Sequence, residues 1–314
     1  MAGVELLEPI PFLRSPQAAS RRWNLDDSRL YTRWLATHHY ENFHVVSLLL
    51  PRQLHQDFYN VYAFCRWADD LGDETGDPQE SLRLLGWWRS GLHALFDGQP
   101  ASHPVFVALA DTIARHDLPR QPFEDLIDAF VQDQTVNRYR NWGEVLDYCR
   151  RSANPVGRLV LMLCGYRDAE RFRLSDATCS ALQLANFWQD VAVDLEKDRI
   201  YLPQELLQRH GCREEDLFAR RCTPAFRAAM KEAVDYAQAL FEQGLPLAGM
   251  VSRRLSLDID LFSRGGMKVL EKIRARNYDV LSARPAISKT ERVLLLLASL
   301  ARLKIGRASC RERV

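Results

Sequence analysis

The chain has 314 residues and a mass of 36.2 kDa, with 47% hydrophobic and 26% charged residues, the balance of a soluble globular protein with a large core. Its formal net charge of +1 argues against nucleic acid as a principal partner. No stretch reaches the roughly 18 apolar residues that a membrane-spanning helix needs, and the richest run, VLLLLASLARL from Val293 to Leu303, is too short.

Seven cysteines fall in no CxxC pattern, and several sit among apolar residues as small hydrophobes, so a reducing cytoplasmic compartment is expected. The N-terminal stretch lacks a basic start followed by a long apolar run, and no secretory signal is read there. Peripheral contact at the inner face of the cytoplasmic membrane stays compatible with this composition.

Residues 1–24 are interrupted by proline and are expected to form a loosely packed arm. A first helix is predicted from Leu25 or Asp26 to about His39, with Asp26 and Asp27 favourably placed near its start. Pro51 breaks the run HYENFHVVSLLLP, and helical spacing resumes from Gln53 through Asp73. Gly72, Gly76, Asp77 and Pro78 then lead into a loop. Amphipathic helices are predicted over 79–96 and 105–116, and another over PFEDLIDAFVQDQTVNRY.

From Gly143 the pattern runs through Arg151 into SANPVG, where Pro155 removes a donor from what otherwise reads as one long helix. A kink is expected there, and Gly157 allows close approach. A helix from about Ser175 to Asp194 follows, with Pro203 marking the next break. The stretch LLQRHGCREEDLFARRCTPAF reads as polar and loop-rich. Thr223 and Pro224 look like the N-cap and first residue of a further helix. A basic helix spans about 252–272, with a bend expected at Gly265 and Gly266. Ser288 and Glu291 have capping-box spacing before one last helix. No alternating strand pattern occurs, so the fold class is all-α: one helical domain over 25–303, followed by a disordered or non-native tail over 304–314.

Chemistry concentrates in two stretches. In QLANFWQDVAVDLEKDRIY, Asp190 and Asp194 lie one helical turn apart with Asn186 a turn earlier, so the three share a face of a mostly apolar helix. Two such carboxylates oppose each other unless a cation lies between them, and oxygen donors suit magnesium better than zinc. CRWADDLGDE repeats the spacing with Asp69 and Asp73, with Asp70 beside them. If the two helices face each other, four to five carboxylates line one cavity.

Gln183 and Asn186 are neutral partners in that cluster. Arg66, Arg199, Arg150, Arg151 and Arg158 lie in or beside these helices, and guanidinium forks suit phosphate oxygens. Tyr40, Phe43, Tyr62, Phe64, Tyr148, Phe187, Trp188 and Tyr201 supply rings whose faces stabilise a cation. No Walker A, GxSxG or GxGxxG stretch is present. The combination points to ionisation of an allylic diphosphate.

HYENF, YAFCRWADDLGDE, YCRRSANPVG and QLANFWQDVAVDLEKDRIY together resemble the squalene/phytoene synthase family, over about Leu30 to Leu300. The resemblance implies an isoprenoid synthase helical fold around a central cavity, with Mg2+ as cofactor and a prenyl diphosphate as substrate. It implies that Asp69 and Asp73 form the first metal motif and Asp190 and Asp194 the second, with Asn186 and Gln183 beside them. It further implies that Arg66 and Arg199 contact diphosphate, that Tyr62, Tyr148 and Tyr201 stand near the reacting carbons, and that Gly157 lies at a kinked helix. His39, Tyr40, Phe43, Phe187 and Gln189 complete the implied substrate site.

Two departures stand out: many members have serine after the first histidine where this chain has Tyr40, and a basic residue where it has Gln189. HYENF, SANPVGRL and NFWQD are similar to the bacterial hopanoid-pathway branch. That similarity implies loss of diphosphate from presqualene diphosphate and capture of the cation by water, without NADPH. Condensation of two farnesyl diphosphates, phytoene-type synthesis and a non-catalytic prenyl-lipid-binding role are the alternatives. Association with other enzymes of the same pathway is also implied.

Overall fold

The computed structural model describes residues 6–38, 51–288, 290–292, 294–295 and 299. His39, Tyr40, Phe43 and the 304–314 tail lie outside the described residues. Helices dominate, and among the described residues the only extended pairing is an isolated bridge between Arg138 and Ile200. The chain divides into two compact units, Met1–Thr135 with Arg158–Arg167, and Val136–Gly157 with Asp168–Val314.

The first unit begins with two short helices, α1 (Pro9–Arg14) and α2 (Pro16–Ser20). They correct the expectation of a loose arm. Ser15 caps α2 by accepting from Ala18 N, Phe12 is 3% exposed, and Trp23 is buried as well. Phe12 packs on Trp23, Tyr31 and Trp67 at ring-centroid distances of 6.0, 5.5 and 5.3 Å. Apolar rings held by the helices behind them draw this proline-broken segment onto the core.

Next come α3 (Leu25–His38), α4 (His55–Asp73), α5 (Pro78–Phe96), α6 (Pro104–His116) and α7 (Gln121–Gln132). Proline sits in the first turn of α5, α6 and α7, where its missing N–H has no intrahelical partner to lose. The predicted helix through Tyr139 ends instead at Gln132.

The inward face of α4 fixes the helix. Trp67 stacks on Trp88 at 5.1 Å, and Phe64 meets Phe123 edge-on at 5.1 Å. His103 lies against Trp67 at 4.3 Å, and desolvation among the surrounding rings pushes its imidazole pKa down to about 3, so it stays neutral. At the opposite end of α4, fully buried Asp57 receives Arg115 Nη2 at 2.5 Å, Arg115 Nη1 at 3.2 Å and Thr112 Oγ1 at 2.8 Å. His116 Nε2 lies 3.1 Å from the same carboxylate. Asn60 donates to Ala108 O and Thr112 Oγ1 and receives Thr32 Oγ1, tying α4 to α3 and α6. Buried charge with several donors is tolerable, and removing one donor is costly.

In the second unit, α8 (Trp142–Ser152) and α9 (Asn154–Leu163) are separate helices divided at Ala153, and α9 crosses from the second unit to the first after Gly157. Pro155 therefore lies in the first turn of α9 rather than inside a kinked helix, which removes its steric penalty. The long helix α10 (Ala169–Asp194) starts earlier than predicted because Asp168 caps it, accepting from Arg171 N at 3.0 Å. Its 26 residues pack against α13 (Pro224–Gly244) and α14 (Arg253–Ala275).

Between them, the stretch read as polar loop holds α11 (Gln204–Arg209) and α12 (Glu214–Phe218). Thr223 caps α13 as predicted, accepting from Phe226 N at 3.1 Å. Helix α14 runs unbroken through Gly265 and Gly266, contrary to the expected bend. A Cβ on Gly266 would lie 2.2 Å from Phe241, so that glycine serves close helix approach. Ser288 and Glu291 form the predicted capping box, with Glu291 N donating to Ser288 Oγ and Ser288 N to Glu291 Oε2.

Candidate active site

In the first unit, residues three and four apart place Tyr62, Arg66, Asp69 or Asp70, and Asp73 along one side of α4. Asp69 is half-exposed, Asp73 exposed, and the Asp70 side chain is only 5% exposed. Arg66 serves both neighbours, with Nη2 at 2.5 Å from Asp70 Oδ1 and Nη1 at 3.4 Å from Asp69 Oδ2.

Burial pushes the Asp70 carboxyl up to about 7, against the pull of the Arg66 guanidinium, while Asp69 and Glu74 add to the rise. Burial likewise raises the Tyr62 hydroxyl. The helix thus separates three neighbouring aspartates into an inward carboxyl braced by Arg66 and two outward carboxylates one turn apart. Its C-terminal end is braced at Gly72 O, which accepts from Gln134 Nε2 and Ser81 Oγ at 3.1 and 3.0 Å.

In the second unit, α10 buries Leu184, Ala185, Phe187, Trp188 and Val191 and leaves Asn186 exposed, with Gln183, Gln189, Asp190 and Asp194 half-buried. Apolar burial on one side of the helix therefore aims the polar row away from the core. The chain then turns through a 3-10 segment (Leu195–Lys197) to Asp198, whose φ of +54° is left-handed.

Neighbouring side chains hold that turn. Arg138 Nη2 contacts Asp198 Oδ1 at 2.7 Å, its Nη1 donates to Asp198 O, and its Nε donates to Glu214 Oε2 at 2.9 Å. Asn137 Nδ2 donates to Asp198 Oδ2 at 2.9 Å, and Ile200 N donates to Asn137 O at 2.9 Å. As a result Arg199 and Tyr201 reach a narrow pocket they share with Phe187, Val191, Asp194, Ile200 and Leu202.

The expected aromatic residues of this unit converge. Phe187 and Tyr201 stack with centroids 3.6 Å apart and planes 5° from parallel. Tyr148 lies 5.9 Å from Phe187 and 5.8 Å from Tyr201. Tyr139, which carried no signal in the sequence, joins at 5.5 Å from Tyr201. Gly157 is a close-approach position: a Cβ there would lie 2.4 Å from Ser175 Oγ and 2.5 Å from Cys179 Sγ on α10. Arg150 and Arg151, considered for phosphate, both bind Asp147 on their own helix, at 2.9 and 2.7 Å.

Gln189 and Asp190 meet a partner that sequence reasoning missed. Arg284, in the proline-containing link after α14, donates Nε to Asp190 Oδ1 and Nη2 to Asp190 Oδ2 at 3.1 Å. Gln189 donates Nε2 to Pro285 O and accepts from Arg284 Nη2 at 3.4 Å. Nothing local marked Arg284, since its partner lies more than ninety residues earlier.

Among the described residues no three His, Cys, Asp or Glu side chains converge as a ready metal cluster, and no helix is long and apolar enough to cross a membrane. Each acidic helix instead offers oxygen donors one turn apart, with an arginine against one of its carboxylates.

An all-α chain carrying two such motifs is matched by the squalene/phytoene synthase family over residues 36–291, and the chain belongs to that family. The family is one of head-to-head isoprenoid synthases, so the chain is an enzyme of isoprenoid biosynthesis. It is 34% identical over 266 residues to a hydroxysqualene synthase of Rhodopseudomonas palustris, covering 82% of this chain and 87% of the relative. It is 35% identical over 263 residues to a phytoene synthase of Thermus thermophilus, at the same two coverages. The crystal structure of squalene synthase HpnC from Alicyclobacillus acidocaldarius is similar with a TM-score of 0.78 and 46% identity, covering 81% of this chain and 96% of that one. The expected isoprenoid synthase fold is thereby established.

Proposed function

We propose that the enzyme is a hydroxysqualene synthase, converting presqualene diphosphate and water to hydroxysqualene and diphosphate in squalene and hopanoid biosynthesis. The likeness to a hydroxysqualene synthase, 34% identical over 82% of this chain, is the observation that carries this reading, and the similarity to the squalene synthase HpnC, at 46% identity, supports the squalene side of the family. The phytoene synthase relative at 35% identity favours a second reading, condensation of two prenyl diphosphates.

The donor chemistry fits magnesium. Asp69, Asp73, Asp190 and Asp194 with Asn186 are hard oxygen donors, and magnesium commonly takes one or two carboxylates and completes its shell with water and phosphate. When bound, the ion supplies electrophilic pull on the diphosphate oxygens. Arg66 and Arg199 bind the same leaving group by charge-assisted hydrogen bonds. The outer faces of the stacked Phe187–Tyr201 pair, with Tyr148 beside them, stabilise the cyclopropylcarbinyl cation left behind and shield it from early capture by bulk water. Peripheral contact with a lipid surface, from which so apolar a substrate is drawn, and association with enzymes acting before and after it belong to the same proposal.

Purified enzyme given presqualene diphosphate and magnesium, without NADPH, is expected to release diphosphate and yield hydroxysqualene. Recovery of unreacted presqualene diphosphate together with consumption of farnesyl or geranylgeranyl diphosphate would overturn this reading in favour of the condensing one.

A further inference from the structure

We propose that the N-terminal segment is a positioning element of the first acidic motif: Tyr31 joins the Leu7 carbonyl to Trp67 on α4, and through this link the segment fixes where Arg66 holds its guanidinium. The proposal rests on the reading of Arg66 as a diphosphate contact. Tyr31 and Trp67 are positioning residues that act through Arg66 and do not themselves meet the substrate.

Three observations carry it. First, the link is closed at both ends. Tyr31, on α3, is fully buried, and its Oη donates to Leu7 O at 2.9 Å while accepting from Trp67 Nε1 at 3.1 Å. A phenol has one proton to give, so a hydroxyl that spends it on Leu7 is left to accept from the indole and has no freedom to turn. Phe12 of the same segment meets the Trp67 ring edge-on at 5.3 Å. The segment therefore holds this indole twice, by a ring contact and through Tyr31.

Second, the indole stands beside the arginine of the motif. Trp67 follows Arg66 directly and stands one helical turn before Asp70, so Trp67 and Asp70 share the inward side of α4. Asp70, with its side chain 5% exposed, receives Arg66 Nη2 at 2.5 Å. The Glu8 carboxylate, at the start of α1, lies near enough to raise both the Asp70 carboxyl and the Tyr31 hydroxyl. The N-terminal segment, Tyr31 and the inner partner of Arg66 thus come together in one place.

Third, Arg66 depends on that inner partner. Its Nε is buried without a hydrogen-bond partner, and its contact to Asp69 Oδ2 is long, at 3.4 Å. A guanidinium anchored at one strong point follows its anchor. A small shift of the inner face of α4 carries the fork away from the oxygens it would grip, and displacement on the order of 1 Å is enough to forfeit most of a positioned contact.

Calorimetric titration of the full chain with inorganic diphosphate at saturating Mg2+ tests this as a double-mutant cycle. Arg66→Gln is expected to weaken binding about tenfold or more. Tyr31→Phe keeps the ring in the core, removes both hydrogen bonds of the hydroxyl, and is expected to weaken binding severalfold. The protein carrying both changes should bind no more weakly than Arg66→Gln alone. Trp67→Phe cuts the link from its other end and should show the same non-additive loss. A purely structural role for Tyr31 lowers the melting temperature and either leaves diphosphate affinity untouched or adds its loss to that of Arg66→Gln.

Undiminished affinity in Tyr31→Phe and Trp67→Phe, or losses that add in the cycle, overturns the proposal and leaves the diphosphate reading of Arg66 standing. Wild-type affinity in Arg66→Gln, or failure of the wild-type protein to bind diphosphate, overturns both.

Discussion

Asp69 keeps its carboxylate half in solvent, while the next residue turns its own into the protein against Arg66 at 2.5 Å. On the proposed magnesium reading the outward carboxylates, Asp69 and Asp73, would accept the hydrated cation, so Asp69→Asn is expected to lower the rate of diphosphate release by two orders of magnitude or more, roughly the effect of losing a key electrostatic contact at a transition state. Asp190→Asn should do the same. Both should melt within a few degrees of the wild type by circular dichroism, because neither carboxylate supports the core; unchanged turnover in both would remove the metal assignment. Asp258 is a different case, buried with no hydrogen-bond partner on either oxygen, and burial pushes its carboxyl up from 3.8 to about 8. Between those two values the folded chain holds a proton that the unfolded chain has released, so stability falls as pH rises through the window. Asp258→Asn is expected to flatten that slope and to be the more stable protein above pH 8, by an amount on the order of 1–3 kcal/mol, in urea titrations run from pH 5 to 9. Parallel wild-type and variant curves across that range would show that Asp258 does not carry the slope.

Helices with a visible cap or an early proline were legible in the sequence, as Thr223 before α13 and Ser288 with Glu291 show. Thr223→Ala should accordingly cost about 1 kcal/mol of stability. The start of α10 was missed because its first turn carries Glu170, Arg171 and Arg173 rather than an apolar face, leaving Asp168 as the single local signal. Helices α11 and α12, of six and five residues, are too short for a 3.6-residue period to declare itself. The site followed the same division. Spacing sufficed for the acidic pairs, each set by one helix turn, but Arg138 on Asp198 and Arg284 on Asp190 join residues some sixty and ninety positions apart, and no local pattern announces such a partner. Glycine at 266 was read as a bend for a related reason, since the ring it accommodates belongs to α13. Gly266→Ala forces Phe241 to move, and a loss of about 1–3 kcal/mol is expected in chemical denaturation.

At the scale of the molecule, the N-terminal segment is part of the first unit's core. Phe12 is enclosed by Trp23, Tyr31 and Trp67, and Tyr31 Oη donates to Leu7 O at 2.9 Å. Phe12→Ala should therefore cost about 3 kcal/mol or more, comparable to a large core truncation, and a melting temperature within a degree of wild type would show the segment to be dispensable. The way the chain is shared between its two units has a consequence for its synthesis. Residues 158–167, with Leu159, Leu161, Met162 and Leu163 buried, belong to the first unit, yet they are reached only after 136–157 of the second have been made. A nascent chain arrested at residue 135 lacks part of its own packing, and the first unit is complete only once Arg167 has left the ribosome. Gene fragments cut after residue 135 should be captured by chaperones and degraded, whereas cuts after 167 leave the first unit whole.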